Sequence, residues 1–190
     1  MNIIYQIEFY SDWHCGSGLA AGADVDALVV KDKNGLPYIP GKTLKGLIRE
    51  AVEEICKFEN NPQERLKNIK DAFGFFDDKN EKSKGFMFFS NAELPDDIQI
   101  AIKSKNEQEY LYRSISSTSI DNKGIALKHS LRRVETTVPC TLIGHIMNVP
   151  ENLEVEIKRG MQFIKRLGVN RNRGLGRCAF INIKTEEETR

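Results

Sequence analysis

The sequence has few cysteines, almost no net charge and no long apolar run, and each absence excludes a class of protein. The four cysteines lie far apart without a CxxC pair, which argues against a structural zinc site and a disulfide framework. No stretch of about 20 apolar residues could span a bilayer, and the first residues do not resemble a signal peptide. We therefore expect a reduced, cytoplasmic protein with no membrane partner.

The charge is nearly balanced, with 28 basic and 27 acidic residues and a net charge of +1. This balance does not by itself indicate a nucleic-acid binder, so a binding surface would depend on local clustering. The 190 residues are 40% hydrophobic, which suits one domain with a real core. No internal repeat of about 20 to 50 residues is present.

Hydrophobic periodicity predicts strands at both ends of the chain and two main helices between them. The first main helix runs from Thr43 to about Phe58, with apolar residues at three- and four-residue spacing. The simplest fold is α+β, with a ferredoxin-like antiparallel sheet and helices on one face. The other predicted helices cover residues 62–72, 95–104 and 151–167, and the predicted strands cover 2–11, 27–30, 86–94, 138–149 and 178–185.

An arginine- and glycine-rich segment, GVNRNRGLGR, precedes the last strand. Arg171, Arg173 and Arg177 offer fork-shaped donors for phosphate, and the glycines let backbone N–H groups approach it. The segment lacks the GK[ST] ending of a P-loop and follows a helix, which argues against a nucleoside triphosphatase. A solvated turn with incidental arginines explains the segment equally well.

The predicted start of the first helix, PGKTLKGLIR, is basic. Lys42, Lys45 and Arg49 share one face, although the helix dipole favours acidic residues there. A bound phosphate backbone would resolve this conflict, and its approach would also explain the helix-interior Gly46. Lysines on a solvated face are the alternative.

Acidic residues follow a glycine-rich loop, HCGSGLAAGA, at residues 14–23. In a strand, Asp24 and Asp26 would point the same way, and Asp32 could share that face. Paired carboxylates beside a phosphate-binding surface can hold Mg²⁺ for phosphodiester cleavage, although a cap or an ion pair is the simpler role for any one of them. Asp12, at the loop's other edge, is a further candidate.

The three histidines could act as acids and bases in metal-independent RNA cleavage. His14 flanks the glycine-rich loop and is the strongest candidate of the three. His145 lies between apolar residues of a strand and is better explained as structural. His129 lies in the polar segment at 105–137 and would contact RNA at most.

The polar segment at 105–137 has no clear period, and we expect an extended excursion from the core. Its basic residues could follow a nucleic-acid backbone while isolated apolar residues wedge between bases. A mobile surface loop is the alternative, but long excursions are usually functional. The candidate RNA contacts here are Lys123, Lys128, Arg132 and Arg133.

The order of these motifs resembles the RAMP superfamily of CRISPR-associated proteins. A glycine-rich loop is followed by DVDALVVKDKNGLPYIPGKTLKGLIR, then AFG, then STSIDNKGIA, then GVNRNRGLGR before a final strand. The resemblance runs from about Tyr5 to Ile183. Within this superfamily, the chain resembles the repeated backbone subunits of type III effector complexes.

The resemblance implies one domain over residues 1–190, with an RNA-recognition-motif-like palm and a thumb at about 108–137. Copies of such a subunit, or related RAMP subunits, stack along a guide CRISPR RNA beside other effector subunits. The palm would hold the guide backbone, and the thumb would press into the guide–target duplex. The implied guide contacts in the glycine-rich loop are His14, Gly16, Ser17 and Gly18, joined by the basic helix start and the arginines of GVNRNRGLGR.

The family is also associated with metal-dependent cleavage of target RNA by an acidic residue in the loop before the IPG segment. That position is filled here by Asp24 or Asp26, and we expect Asp24, nearer the glycines, to hold Mg²⁺. Two alternatives remain: a subunit that binds RNA without cutting it, and a guide-processing RNase of the same superfamily that uses a histidine and no metal.

Overall fold

The molecule is organised around an antiparallel sheet, seen in a computed structural model that describes residues 1–21, 25–58, 62–76 and 82–186. The helices are α1 (Gly41–Cys56), α2 (Pro62–Phe73), α3 (Asp96–Lys105) and α4 (Glu154–Phe163), with 3₁₀ turns at Gln108–Leu111, Glu151–Leu153 and Arg171–Arg173. The strands are β1 (Asn2–Phe9), β2 (Tyr38–Ile39), β3 (Phe75–Phe76), β4 (Lys82–Ser83), β5 (Phe88–Phe89), β6 (Ala92–Glu93), β7 (Tyr112–Ser117), β8 (Arg132–Thr137), β9 (Thr141–Met147) and β10 (Cys178–Glu186).

The sheet has the order β10-β1-β9-β6-β2, and β5 also pairs with β9. Every named pair is antiparallel. Two β–α–β units interleave in this sheet. The first consists of β1, α1 and the β5–β6 segment, and the second consists of β9, α4 and β10. This is the ferredoxin-like arrangement, so the predicted fold class is confirmed.

The core lies between one face of the sheet and helices α1 and α4. Strand β1 alternates buried and half-buried residues, as a strand with one covered face must. On α1, Leu44 and Ile48 are fully buried at four-residue spacing. Gly160 allows α4 to approach α1 closely, because a Cβ there would lie 2.6 Å from Val52 Cγ2. Truncating a core residue such as Ile48 to alanine would cost about 2–5 kcal/mol.

Three elements differ from the sequence predictions. Helix α4 ends at Phe163, four residues early, because Ile164 adopts an extended conformation that directs the chain back toward β10. The predicted strand at 86–94 is split into β5 and β6, and between them the Ser90 hydroxyl accepts the N–H of His145 at 2.9 Å. The predicted strand at 27–30 is not a sheet strand, because its backbone makes only isolated bridges.

Residues 112–137 form a hairpin that projects from the sheet, and we call it the thumb hairpin. Strands β7 and β8 pair over six positions, from Tyr112 opposite Thr137 to Ser117 opposite Arg132. Its outer part is exposed, whereas Thr136 and Thr137 at its base are buried. Among the described residues, no helix is long and apolar enough to cross a membrane.

Candidate nucleic-acid interface

The glycine-rich loop doubles back on itself as an irregular hairpin. Its first limb (residues 15–21) and second limb (residues 25–31) are joined by backbone bonds, including Ser17 N–H to Leu28 O and Ala21 N–H to Val25 O, both 2.9 Å. Gly16 and Gly18 are exposed, and Gly18 has a φ of +79° that favours glycine. Asp24, the preferred catalytic candidate, lies outside the described residues.

His14 is an interior residue rather than a surface one, with only 2% of its area exposed. Its Nδ1 lies 2.6 Å from the carbonyl oxygen of Glu135 on β8. Because a carbonyl oxygen only accepts, Nδ1 carries the proton of this bond. The backbone carbonyl of His14 accepts the N–H of Val169 at 2.9 Å. These contacts give His14 a structural role between three segments, and its burial weighs against direct RNA contact or acid–base work.

An open groove of about 620 Å³ lies between the glycine-rich loop and the start of α1. Gly16 and Ser17 line one side, and Lys42 and Thr43 line the other. We call it the palm groove. Gly41 makes this arrangement possible, because a Cβ there would lie 2.1 Å from the carbonyl oxygen of Phe89.

The three basic residues of α1 have different surroundings. Lys42 is exposed at the palm groove. Lys45 Nζ donates to the Lys84 carbonyl at 3.3 Å, and burial, followed by the nearby charge of Arg49, lowers the pKa of Lys45. Arg49 Nη1 donates to the Gly74 carbonyl at 3.4 Å. Lys42 is therefore the residue of this predicted set that faces the groove.

The arginine loop (residues 168–177) packs directly against the segment that carries His14. Gly176 N–H donates to the Asp12 carbonyl at 2.8 Å. Gly168 has a φ of +97°, and a Cβ there would lie 2.4 Å from the His14 carbonyl oxygen. Arg171 and Arg173 are exposed, as is Arg177, and residues 168–173 line an open polar hollow of about 410 Å³. The loops at the two ends of the sequence thus share one surface.

The thumb hairpin is attached through Asp12 and Trp13. Asp12 Oδ1 lies 3.3 Å from Arg113 Nη1, and its Oδ2 accepts the Thr136 hydroxyl at 3.4 Å. Trp13 and Thr137 exchange two backbone hydrogen bonds of 2.9 and 2.8 Å. Asp12 is therefore engaged in fixing the base of the thumb, although the sequence suggested it as a catalytic candidate.

Asp26 is exposed and is held by thumb strand β8. Its N–H donates to the Arg133 carbonyl at 2.9 Å, and its Oδ2 accepts the Arg133 N–H at 2.7 Å. Its Oδ1 has no hydrogen-bond partner among the described residues. Asp32 does not share this position, because its Oδ1 accepts the N–H groups of Asn34 and Leu36 within its own turn.

Asp26 could hold a metal ion only if RNA and water supplied the remaining ligands. In the described part of the chain, no group of three histidine, cysteine or acidic side chains could hold a metal ion. Mg²⁺ commonly keeps several waters and binds through one or two carboxylates and substrate phosphates. Asp26, with one free oxygen at an exposed position, is compatible with this mode.

The tip of the thumb hairpin combines positive charge with exposed apolar side chains. Lys123 and Lys128 are exposed in the tip, and Arg132 and Arg133 are exposed at its entry to β8. The tip is fixed by Asp121, whose Oδ1 accepts the N–H groups two and four residues later. The exposed apolar residues are Ile115, Ile120, Ile125, Leu127 and Leu131.

Sequence reasoning missed a polar cluster at the base of the thumb. Lys31 Nζ lies 2.8 Å from Glu135 Oε1 and 3.8 Å from the centre of the Tyr112 ring. These residues come from three distant segments, so no local pattern could have brought them together. The one sequence feature that could have indicated this cluster is the RVE segment of β8, which places the acidic Glu135 two residues after Arg133.

The sequence matches the RAMP superfamily over residues 6–179. The chain belongs to the RAMP superfamily. It is 26% identical over 194 residues to the CRISPR system Cms endoribonuclease Csm3 of Streptococcus thermophilus. The aligned region covers 94% of this chain and 86% of that protein.

Two solved structures of type III-B Cmr-beta contain chains with the same fold. The match to the structure bound to cognate target RNA has a TM-score of 0.69 and 10% identity. The match to the apo state has a TM-score of 0.71 and 13% identity. Each covers 95% of this chain and 96% of the other. The expected resemblance to type III effector proteins is confirmed.

Proposed function

We propose that this protein is an RNA-binding backbone subunit of a type III CRISPR effector complex and that it cuts target RNA held on it. One observation carries the binding part of the proposal. The glycine-rich loop, the start of α1 and the arginine loop adjoin one another, because the palm groove joins the first two and the His14–Val169 bond joins the first and third. Three segments that sequence reasoning assigned to phosphate therefore form one surface.

The surface suits the sugar–phosphate backbone of a guide RNA. Lys42 in α1 and Arg171 in the arginine loop supply exposed positive charge, and the exposed glycines Gly16 and Gly18 leave the backbone of the glycine-rich loop accessible. Contacts of this kind fix the register of a nucleic acid without reading its sequence. A subunit that must accept any guide requires that property. We place the guide RNA here, with further copies or related RAMP subunits along it in the cytoplasm.

The thumb hairpin provides a second surface for the guide–target duplex. Its basic residues Lys123, Lys128 and Arg132 can follow phosphates, while its exposed isoleucines and leucines offer apolar contact to bases. Asp26 is bonded to the same strand at Arg133, so an RNA strand on the thumb would pass close to its carboxylate. This placement makes Asp26 the described candidate for the cleavage site.

Asp26, with Asp24 as its neighbour in sequence, would hold Mg²⁺ together with a target phosphate. The ion, when bound, would supply charge stabilisation at the scissile phosphate. The Arg133 N–H holds the Asp26 carboxylate through Oδ2, and Oδ1, which has no partner among the described residues, would accept a ligand from outside the chain. The Asp26 N–H, which donates to the Arg133 carbonyl at 2.9 Å, adds a main-chain attachment of this residue to the thumb.

Cleavage of a guide-complementary RNA by the assembled complex tests the proposal. Wild type, Asp24→Ala and Asp26→Ala complexes should be compared with Mg²⁺ and with EDTA, and target affinity measured alongside. We expect regularly spaced cuts that disappear in EDTA and in Asp26→Ala, with target affinity retained. Cuts that survive in both aspartate variants would place the chemistry in another subunit.

The same experiment addresses the two other functions. A pure binding scaffold would hold target RNA in every variant and cut it in none, and the single described carboxylate at the site favours this as the second candidate. A metal-independent RNase would cut in EDTA and would depend on a histidine. The 2% exposure of His14 disfavours that function.

A further inference from the structure

Glu135 contacts the second limb of the glycine-rich loop and His14, the residue that precedes the first limb. Its carbonyl oxygen accepts the Nδ1 proton of His14, which precedes the first limb, at 2.6 Å. Its N–H donates to the carbonyl of Ala27 in the second limb at 3.0 Å. Its carboxylate accepts from the Val29 N–H at 3.1 Å and from Lys31 Nζ at 2.8 Å.

The second limb thereby runs beside β8 as an additional, irregular strand. Asp26 bonds to Arg133, Ala27 bridges Val134 in parallel, and Glu135 holds the next residues. The main-chain bonds between this limb and β8 end at Ala27, and beyond it the main chain of the limb bonds to the first limb, as in Val30 N–H to Cys15 O at 2.8 Å. From Val29 to Lys31 the limb is attached to the thumb by the side chain of Glu135, which is 16% exposed.

The ion pair extends this attachment to the other thumb strand. Lys31 Nζ lies 3.8 Å from the centre of the Tyr112 ring on β7, a cation–π contact. The Tyr112 hydroxyl donates to the Gly35 carbonyl at 2.6 Å. Displacement of either thumb strand would therefore act on residues 29–35 through Glu135, Lys31 and Tyr112.

We propose that Glu135 is a positioning residue for cleavage, which holds the limb carrying Asp26 in a fixed place against the thumb. The inference rests on the proposed function, because it concerns the placement of the proposed catalytic carboxylate. Glu135 does not touch RNA in this role. It sets where Asp26 stands relative to an RNA strand that lies on the thumb, and small misplacements of such groups lower rates greatly.

The test compares Glu135→Gln and Glu135→Ala with a matched control. Glutamine keeps an oxygen for the Val29 N–H but removes the ion pair, whereas alanine removes both. Glu154→Gln is the control, because the Glu154–Lys158 pair on α4 has a similar length, 2.7 Å, and similar exposure, and lies outside the proposed machinery. Single-turnover cleavage and target affinity are measured with the assembled complex, and hydrogen exchange of residues 25–31 with the full chain.

We expect Glu135→Ala to cut on the order of 10- to 100-fold more slowly with target affinity unchanged, and Glu135→Gln to fall between it and wild type. Exchange in residues 25–31 should be faster in both variants and unchanged in Glu154→Gln. The inference is overturned if Glu135→Ala cuts at the rate of Glu154→Gln, or if its exchange in this limb equals that of wild type. Should Asp26→Ala cut like wild type, the proposed function fails, and faster exchange alone would still support the attachment of the limb by Glu135.

Discussion

The carbonyl oxygen of His14 accepts a hydrogen bond from the backbone N–H of Val169 at 2.9 Å, across a sequence separation of more than 150 residues. This bond joins the glycine-rich loop near the start of the chain to the arginine loop near its end. The buried imidazole of His14 also donates from Nδ1 to the carbonyl oxygen of Glu135 on thumb strand β8, at 2.6 Å. One residue thus joins the glycine-rich loop, the arginine loop and the thumb hairpin.

Gly168→Ala should disrupt this junction, and Gly174→Ala provides the matched control. Both positions have positive φ, +97° and +92°, so both substitutions strain the backbone by roughly 1 kcal/mol. At Gly168 the added Cβ also meets the His14 carbonyl oxygen at 2.4 Å, whereas at Gly174 it meets open space. We expect Gly168→Ala to lower the free energy of unfolding by about 2 kcal/mol more than Gly174→Ala, as measured by urea denaturation. Equal losses in the two variants would show that the close approach at Gly168 is unimportant.

The glycines of α1 should respond in opposite directions to alanine. Gly46 is exposed within the helix, and an alanine Cβ there would meet open space, so Gly46→Ala should stabilise the protein by roughly 0.5–1 kcal/mol. Gly41→Ala should destabilise it, because its Cβ would overlap the Phe89 carbonyl. Thermal unfolding measures both effects. A Gly46→Ala variant that is more stable but binds RNA more weakly would support RNA approach at this glycine, and one with unchanged RNA affinity would argue against it.

Two buried thiols should make the protein less stable in alkali. Burial raises the pKa of Cys15 to about 11 and that of Cys178 to about 12, from an ordinary value of 9.0. Between pH 9 and these values the unfolded chain loses thiol protons that the folded chain keeps, so the free energy of unfolding falls as pH rises. The loss reaches about 2 kcal/mol per thiol by about pH 10.5.

Urea midpoints of wild type and a Cys15→Ala/Cys178→Ala variant, compared at about pH 8.5 and about pH 10.5, measure this effect. The double variant starts from a lower stability because it has lost buried sulfur atoms, but its midpoint should change less between the two pH values. If both proteins lose the same stability over this range, other groups must be responsible.

The sequence predicted the fold well wherever periodicity was strong. The alternation in β1 and the three- and four-residue spacing in α1 each specify a covered face, and both elements are present. The end of α4 was wrong because Ile164 and Leu167 fit a helical spacing yet are buried by a turn back toward β10. Apolar spacing alone cannot distinguish these two ways of reaching the core.

The site was predicted by segment but not by side chain. Charge and glycine content identified the basic helix start and the arginine loop, and the fold brings both next to the glycine-rich loop. The burial of His14 depends on β8 and on Val169, which are distant in sequence. Likewise, Glu135 acquires its contacts only when the thumb folds back against residues 27–31. Long-range packing decides such roles, and local patterns do not encode it.

Affinity for guide RNA as a function of salt tests the central claim most directly. The Lys42→Ala/Arg171→Ala variant loses one charge from α1 and one from the arginine loop, and Lys105→Ala/Lys184→Ala loses two exposed charges elsewhere. The proposed surface predicts that the first variant binds at least about tenfold more weakly for every guide sequence, with a salt slope lower by about 1.4, while the second keeps wild-type affinity. Equal affinities and slopes in the two variants would contradict the claim that the palm groove and the arginine loop together hold the RNA backbone.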